Sequence, residues 1–467
     1  MSGKVGADDA LRDGIDVEGL PRADAPEPHC TDLGNSERFI RQHAADVRYC
    51  WPWKSWLQWT GTHWARDHGD GVRERAKATA RKLYQETARL EDAHARKALA
   101  AWAVRTEHEH VQRAMLALAQ SAVPILPDQL DADPWLLTVP NGTIDLRTSE
   151  RREHRRRDFI TRLCPTSYEP AATCPNFLAF ITTILKDDPI LMAWLQRLLG
   201  SGLVGQALDQ ILTIFWGAGA NGKSTLVQAI TRVLGEDYAL EAPVSTFMAK
   251  REGIPNDIAR LASARLVVAS ESDHGRRLNE ALVKQLTGGD KITARFLHQE
   301  YFSFTPTFTL ILTTNHKPEI RGTDLAIWRR VRLVPFTHTI AEADQDEHFL
   351  EGTLLPEARG ILAWLVAGCR AWQHEGLKVV PPTVKEATEA YRVESDLLAD
   401  FLEERTTAGK DLFTTAAAVY EAYLDYSDKT KDKHALSKIE LGRRLSEKGF
   451  TGEKVNGIRG WWGFGLL

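Results

Sequence analysis

No stretch of about 18 consecutive apolar residues occurs in this chain, and no apolar run follows a basic N-terminus, so neither a membrane-spanning helix nor a secretory signal is expected. Charge of one sign is also lacking. The 59 basic and 63 acidic side chains leave a net charge of -4, which excludes a surface coated throughout with nucleic acid but leaves local basic patches open. Cysteine is scarce: Cys30, Cys50, Cys164, Cys174 and Cys369 are an odd, scattered set without a CxxC pair, which points to free thiols in a reducing, cytoplasmic compartment. What is present is length, and 467 residues predict about three domains.

Residues 1–35, rich in Asp, Gly, Pro and Ala, are expected to be a disordered leader. From Arg38 the character changes, and Trp51, Trp53, Trp56, Trp59 and Trp64 crowd together with Lys54, His63 and Arg66. These rings either stack nucleic-acid bases or form the core of a small β-rich subdomain. Residues 72–122, dominated by Ala, Arg, Glu, Leu and Lys, predict two or more helices. A turn around Asn141-Gly142 predicts a hairpin. The run RREHRRR at 151–157 is either a phosphate contact or a solvated charged face, and the apolar periodicity from Phe177 to Leu199 predicts helices.

The segment ILTIFW at 211–216 has the continuous apolar character of a strand covered on both faces of a parallel sheet. The loop Gly217, Ala218, Gly219, Ala220, Asn221, Gly222, Lys223, Ser224, Thr225 follows at once and fits GxxxxGKS/T. Leu226, Ile230 and Val233 then recur at helical spacing. Strand, loop and helix together predict a P-loop for ATP. Backbone N–H groups and the helix N-terminus would meet the phosphates, Lys223 would reach the β/γ oxygens, and the Ser224 hydroxyl would hold Mg²⁺.

ATP hydrolysis also needs a carboxylate at the end of a neighbouring strand, and LVVASESD at 266–273 offers Glu271 to activate water, with Asp273 beside it for the metal. The strand-like FTLILTTN at 308–315 ends in Asn315, suited to sensing the γ-phosphate. Arg329 and Arg330 precede a further strand, and either is a candidate arginine finger acting on a neighbouring subunit.

Residues 412–449 read as helices, followed by a hairpin around Asn456-Gly457. That is the order of a winged helix, a DNA-binding variant of helix-turn-helix. Lys429 to Arg459 has an excess of five positive charges, including the DNA-binding candidates Arg443 and Arg444. A winged helix used for protein contact is the alternative.

Together, GAGANGKST, LVVASESD, VKQLTGGDKITARFLHQEYFSF at 283–304, TTNHKP at 313–318 and GTDLAIWRRVRLVPF at 322–336 resemble the helicase part of phage and plasmid primase-helicases. These form a branch of the superfamily 3 helicases that includes the poxvirus primase-helicase. The resemblance implies an α/β, AAA+-like P-loop core with a parallel sheet at 206–380. A mostly helical accessory domain at 36–205 would precede it, and a C-terminal winged helix at 381–467 would follow. It further implies a homo-oligomeric, hexameric ring that moves on single-stranded and forked DNA in a bacterial host cytoplasm, with a pore hairpin at TGGDKITARF. Lys291, Arg295 and His298 there suit a phosphate backbone, although a plain surface turn would look similar. Family members often carry an N-terminal primase, for which the first 35 residues are too short, so a separate primase or polymerase is the expected partner. The competing readings are an origin-binding initiator that uses ATP for assembly, and a non-replicative defence or regulatory ATPase.

Overall fold

The computed structural model describes residues 28–206, 209–249, 256–270, 277–295, 301–320, 325–429 and 435–467. The chain forms two compact units. One comprises residues up to Cys174 together with Arg232–Tyr238 and Glu357–Arg370; the other takes Pro175–Thr231, Ala239–Pro356 and Ala371–Leu467. The linear division expected from sequence is therefore interrupted twice, because two later segments return to the first unit.

In the first unit, the helix Asp32–His43 starts where Thr31 Oγ1 accepts a hydrogen bond from the Gly34 amide at 3.0 Å. Residues 32–35, expected in a leader, are its first turn. Asn35 is fully buried, bonded to Thr106 at 3.1 Å and to the Trp102 indole at 2.9 Å; the rest of the leader, residues 1–27, lies outside the described residues. The alanine-rich segment forms three helices, Gly71–Thr87, Ala93–Thr106 and Glu109–Ala119. Phe39, Val47, Val72, Ala76 and Met115 share a core with the first strand of an antiparallel sheet. Its strands are β1 (Val47–Cys50), β2 (Ser55–Trp59) and β3 (Trp64–Arg66). Trp64 is buried, Trp56 packs beside Phe39, and Trp53 and Trp59 pack around Leu57 and Trp64, so most of the tryptophan cluster is core.

A second antiparallel sheet holds β4 (Leu136–Val139), β5 (Gly142–Asp145) and β6 (Glu150–Arg152). Gly142, at φ 152°, completes the expected hairpin turn, and a Cβ there would lie 2.5 Å from the Arg152 carbonyl oxygen. Much of the arginine run is structural. Arg152 pairs with Asp158 at 2.7 Å and Arg156 with Asp46 at 2.8 Å, while Arg155 and Arg157 stay exposed.

The main sheet of the second unit is built from β7 (Leu212–Trp216), β8 (Ala239–Pro243), β9 (Leu266–Ser270), β12 (Thr309–Thr314) and β13 (Val331–Pro335). They form one parallel sheet in the order β13-β7-β12-β9-β8. Ile214, Val267 and Leu312 enter one core, while Phe215, Val268 and Ile311 are buried on alternate positions, which is why these strands read as unbroken apolar runs. Between β9 and β12 lie β10 (Ile292–Ala294) and β11 (Phe302–Phe304), an antiparallel pair. The helix Pro382–Glu394 belongs with this core and not with the following module. Tyr391 is buried there, edge-on to Trp328 at 5.3 Å.

The C-terminal module has its own core of Leu398, Phe401, Tyr423, Leu441, Leu445 and Trp461. It runs helix Leu397–Arg405, β14 (Thr406–Thr415), helices Ala416–Lys429 and Lys438–Glu447, then β15 (Thr451–Val455) and β16 (Ile458–Leu466). The sheet order is β14-β16-β15, and Asn456-Gly457 makes the β15–β16 turn with φ 52° and 81°. The stretch 412–415, expected to be helical, is the end of β14.

Candidate functional site

Three strand ends meet at the carboxyl edge of the parallel sheet, where ligands bind in open α/β folds. After β7 the chain turns through Gly219 (φ 105°), Ala220 (φ 44°) and Gly222 (φ 77°) before the helix Lys223–Leu234 begins. A Cβ at Gly217 would lie 2.2 Å from the Phe336 carbonyl oxygen, and one at Gly222 would lie 2.6 Å from the Ile184 side chain. Only glycine fits at either position. Asn221 Nδ2 donates to the Phe336 carbonyl at 3.2 Å and the Ile340 amide donates to the Ala220 carbonyl at 2.7 Å, so the chain beyond β13 fixes the loop.

Lys223 is 5% exposed. Its ammonium donates to the Gly217 carbonyl at 2.7 Å, to Asn221 Oδ1 at 2.8 Å and to Asn315 Oδ1 at 3.3 Å. Burial pushes the Lys223 pKa down to about 8, since no carboxylate is among these partners. Ser224 is exposed and Thr225 half-buried in the first turn of the helix. Asn315 follows β12, the strand between β7 and β9, and Thr313 on β12 donates to the Ser270 hydroxyl at the end of β9 at 2.9 Å. Glu271 and Asp273, expected just beyond Ser270, lie outside the described residues. The loop offers what a nucleotide phosphate needs: a helix N-terminus, a buried cation, and left-handed backbone that a bulkier sequence would fill. Among the described residues, no three His, Cys, Asp or Glu side chains converge as a metal centre.

The two arginines before β13 part company. Arg330 is 8% exposed and donates to the Ala326 carbonyl at 2.6 Å, whereas Arg329 is exposed and its guanidinium has no carboxylate partner among the described residues. Of the two arginine-finger candidates, Arg329 is therefore the one exposed at the surface of the chain.

Lys291 and Arg295 flank β10, both exposed and without carboxylate partners among the described residues, and the Arg295 guanidinium lies 4.9 Å from the Tyr301 ring centre. His298 lies outside the described residues. In the C-terminal module Arg443 is exposed, but Arg444 is 1% exposed inside the helical core, which corrects its expected role in touching DNA. Burial lowers the pKa of its guanidinium. Lys438, Lys454 and Arg459, which were not singled out from sequence, are exposed on the same helix and hairpin. No helix among the described residues is long and apolar enough to cross a membrane.

Comparison with known proteins finds similar sequences over much of the chain. Residues 36–186 match the model described as D5 N terminal like, and residues 215–330 match a family of unknown function, DUF5906. A provisionally named helicase of Acanthamoeba polyphaga mimivirus is 29% identical over 298 residues, covering 58% of this chain and 30% of the relative. One from Frog virus 3 is 31% identical over 271 residues, covering 54% and 28%. A provisionally named primase of African swine fever virus is 26% identical over 342 residues, covering 68% and 35%. The chain thus spans about a third of the length of these relatives. Among solved structures, the C-terminal region of NrS-1 aligns with 89% of this chain and 95% of its own at 11% identity and a TM-score of 0.47. Residues 36–186 thus resemble the D5 N-terminal region, and the chain as a whole is similar to the D5-like primase-helicases represented by these viral proteins.

Proposed function

We propose that this protein is an ATP-dependent DNA helicase of superfamily 3 that works as a hexameric ring on single-stranded and forked DNA during replication of a phage or other mobile element. The observation that carries the reading is the buried Lys223, held at the mouth of a glycine-constrained loop with Asn315 from the adjacent strand end within reach. ATP would place its β- and γ-phosphates on the loop amides and the Lys223 ammonium, displacing the Gly217 and Asn221 acceptors that now hold that cation. Mg²⁺, held by the Ser224 hydroxyl with Glu271 and Asp273, would neutralise charge on the phosphates. Glu271 would take a proton from the attacking water, Asn315 would report the γ-phosphate, and Arg329 of a neighbouring subunit would stabilise the transition state. Lys291, Arg295 and His298 would grip the DNA backbone in the pore, and a separate primase or polymerase would use the opened strand.

The test is ATP hydrolysis with and without single-stranded DNA for the wild type, Lys223→Ala and a Lys291→Ala, Arg295→Ala double variant. The reading requires DNA stimulation, loss of turnover in the first variant and loss of stimulation alone in the second. Hydrolysis indifferent to DNA throughout would leave a non-replicative ATPase.

An origin-binding initiator is the second reading. It is favoured by the winged-helix order of the C-terminal module, whose exposed Lys438, Arg443, Lys454 and Arg459 suit DNA phosphates. Tighter binding to one duplex sequence than to single strands, at fixed salt, would select it.

A further inference from the structure

The β1–β2 turn, residues 51–54, leaves one tryptophan of the cluster out of the core. Trp51 is 50% exposed, against 0% for Trp64 in the same sheet. Its ring stands edge-on to Tyr49 with centres 4.9 Å apart, so it is braced as well as exposed. Two cations share this end of the sheet. Lys54, at φ 49°, ends the turn, and the Arg66 guanidinium of β3 lies 3.8 Å from the Trp53 ring centre.

Neither Lys54 nor Arg66 has a carboxylate partner among the described residues. Elsewhere in this unit Arg75, Arg147, Arg152 and Arg156 are each paired with an aspartate. A half-exposed indole beside unpaired cations suits a ligand with flat rings and regularly spaced anions. An apolar partner would leave both cations unanswered, an acidic peptide would leave the ring unused, and a duplex hides its base faces. We propose that this turn is a binding site for single-stranded DNA, with a base stacked on Trp51 and phosphates met by Lys54 and Arg66. It rests on the helicase reading above only for the choice of DNA over RNA.

The test is fluorescence polarisation of the full chain with labelled oligo(dT) and oligo(rU), for the wild type, Trp51→Ala, Trp51→Phe and a Lys54→Ala, Arg66→Ala double variant. Thermal melting checks that each variant is folded. Loss of one stacked base predicts about a fivefold or greater loss of affinity for Trp51→Ala, partly restored in Trp51→Phe. Loss of two phosphate contacts predicts a shallower dependence of log K on log salt, by about 1.4. An oligonucleotide carrying 5-iododeoxyuridine should crosslink to the peptide that contains Trp51. Wild-type affinity and salt slope in folded variants, with DNA still stimulating hydrolysis, would overturn this site and spare the helicase reading. Preference for oligo(rU) would overturn the DNA assignment, and failure of the wild type to bind any single strand would sink both.

Discussion

Lys223 Nζ donates to Asn315 Oδ1 at 3.3 Å, joining the loop after β7 to the residue that follows β12. In the proposed mechanism Asn315 would meet the γ-phosphate of a loop-bound nucleotide, and Lys223 would turn from it toward the phosphates. Removing the ammonium should therefore cost binding and turnover together, whereas removing the amide should cost turnover. We expect Lys223→Ala to abolish hydrolysis and weaken nucleotide binding, and Asn315→Ala to lower kcat by about a hundredfold, a usual loss for one transition-state donor, with binding largely kept. Steady-state hydrolysis and calorimetric titration of each variant separate the two, and an Asn315→Ala enzyme with wild-type kcat would remove the residue from the mechanism.

The contrast between Arg329 and Arg330 predicts opposite kinds of damage. Arg330→Ala strips a buried guanidinium from the Ala326 carbonyl and should destabilise the protein by about 2 kcal/mol, visible in thermal melting. Arg329→Ala should leave melting unchanged and reduce turnover by about a thousandfold. If Arg329 acts in trans, mixing inactive Arg329→Ala with inactive Lys223→Ala subunits should restore hydrolysis, because some interfaces then combine an intact loop with an intact finger. No recovery on mixing would place Arg329 outside that role.

Much of this site was legible because local backbone chemistry dictates it. Glycines at 217 and 222, between an unbroken apolar run and a helical period, leave few alternatives. What sequence did not reveal depends on which way a side chain faces or on distant partners. Arg444 counted as one more positive charge, yet it lies three residues after Leu441 and beside Leu445, both core residues of its helix. That spacing was the available signal. The strand β14 escaped notice because its pairing with β16 shifts register between Gly409 and Phe413, which breaks the alternation that marks a strand. No local pattern announces that residues 232–238 and 357–370 return to the first unit.

Arg443 and Arg444 supply a paired test of the C-terminal module. Arg443→Ala should leave folding intact and weaken duplex DNA binding by removing a surface charge, with a smaller salt dependence. Arg444→Ala should lower the melting temperature of the module by creating a void in the core around Tyr423 and Leu441. The converse pattern, a soft Arg443 variant and a stable Arg444 variant that fails to bind, would mean that the buried guanidinium turns outward on DNA.

His43 ends the first helix of the accessory unit, half-buried, 3.2 Å from Thr79 Oγ1 and with its ring centre 5.0 Å from that of Phe39. Burial, with Arg75 nearby, pushes its pKa down to about 4. The folded state thus keeps this imidazole neutral between pH 4 and the ordinary histidine value, while the unfolded chain takes up a proton there. Its contribution is complete above about pH 6.5 and is lost as pH falls toward 4. Discounted for solvent screening, the effect is about 1 kcal/mol, or roughly 2–4 °C in a melt. Melting the wild type and His43→Gln at pH 7.5 and pH 5 should show the smaller loss in the variant, since carboxylate titrations are common to both. Equal losses would mean that His43 titrates in the folded protein as it does in water.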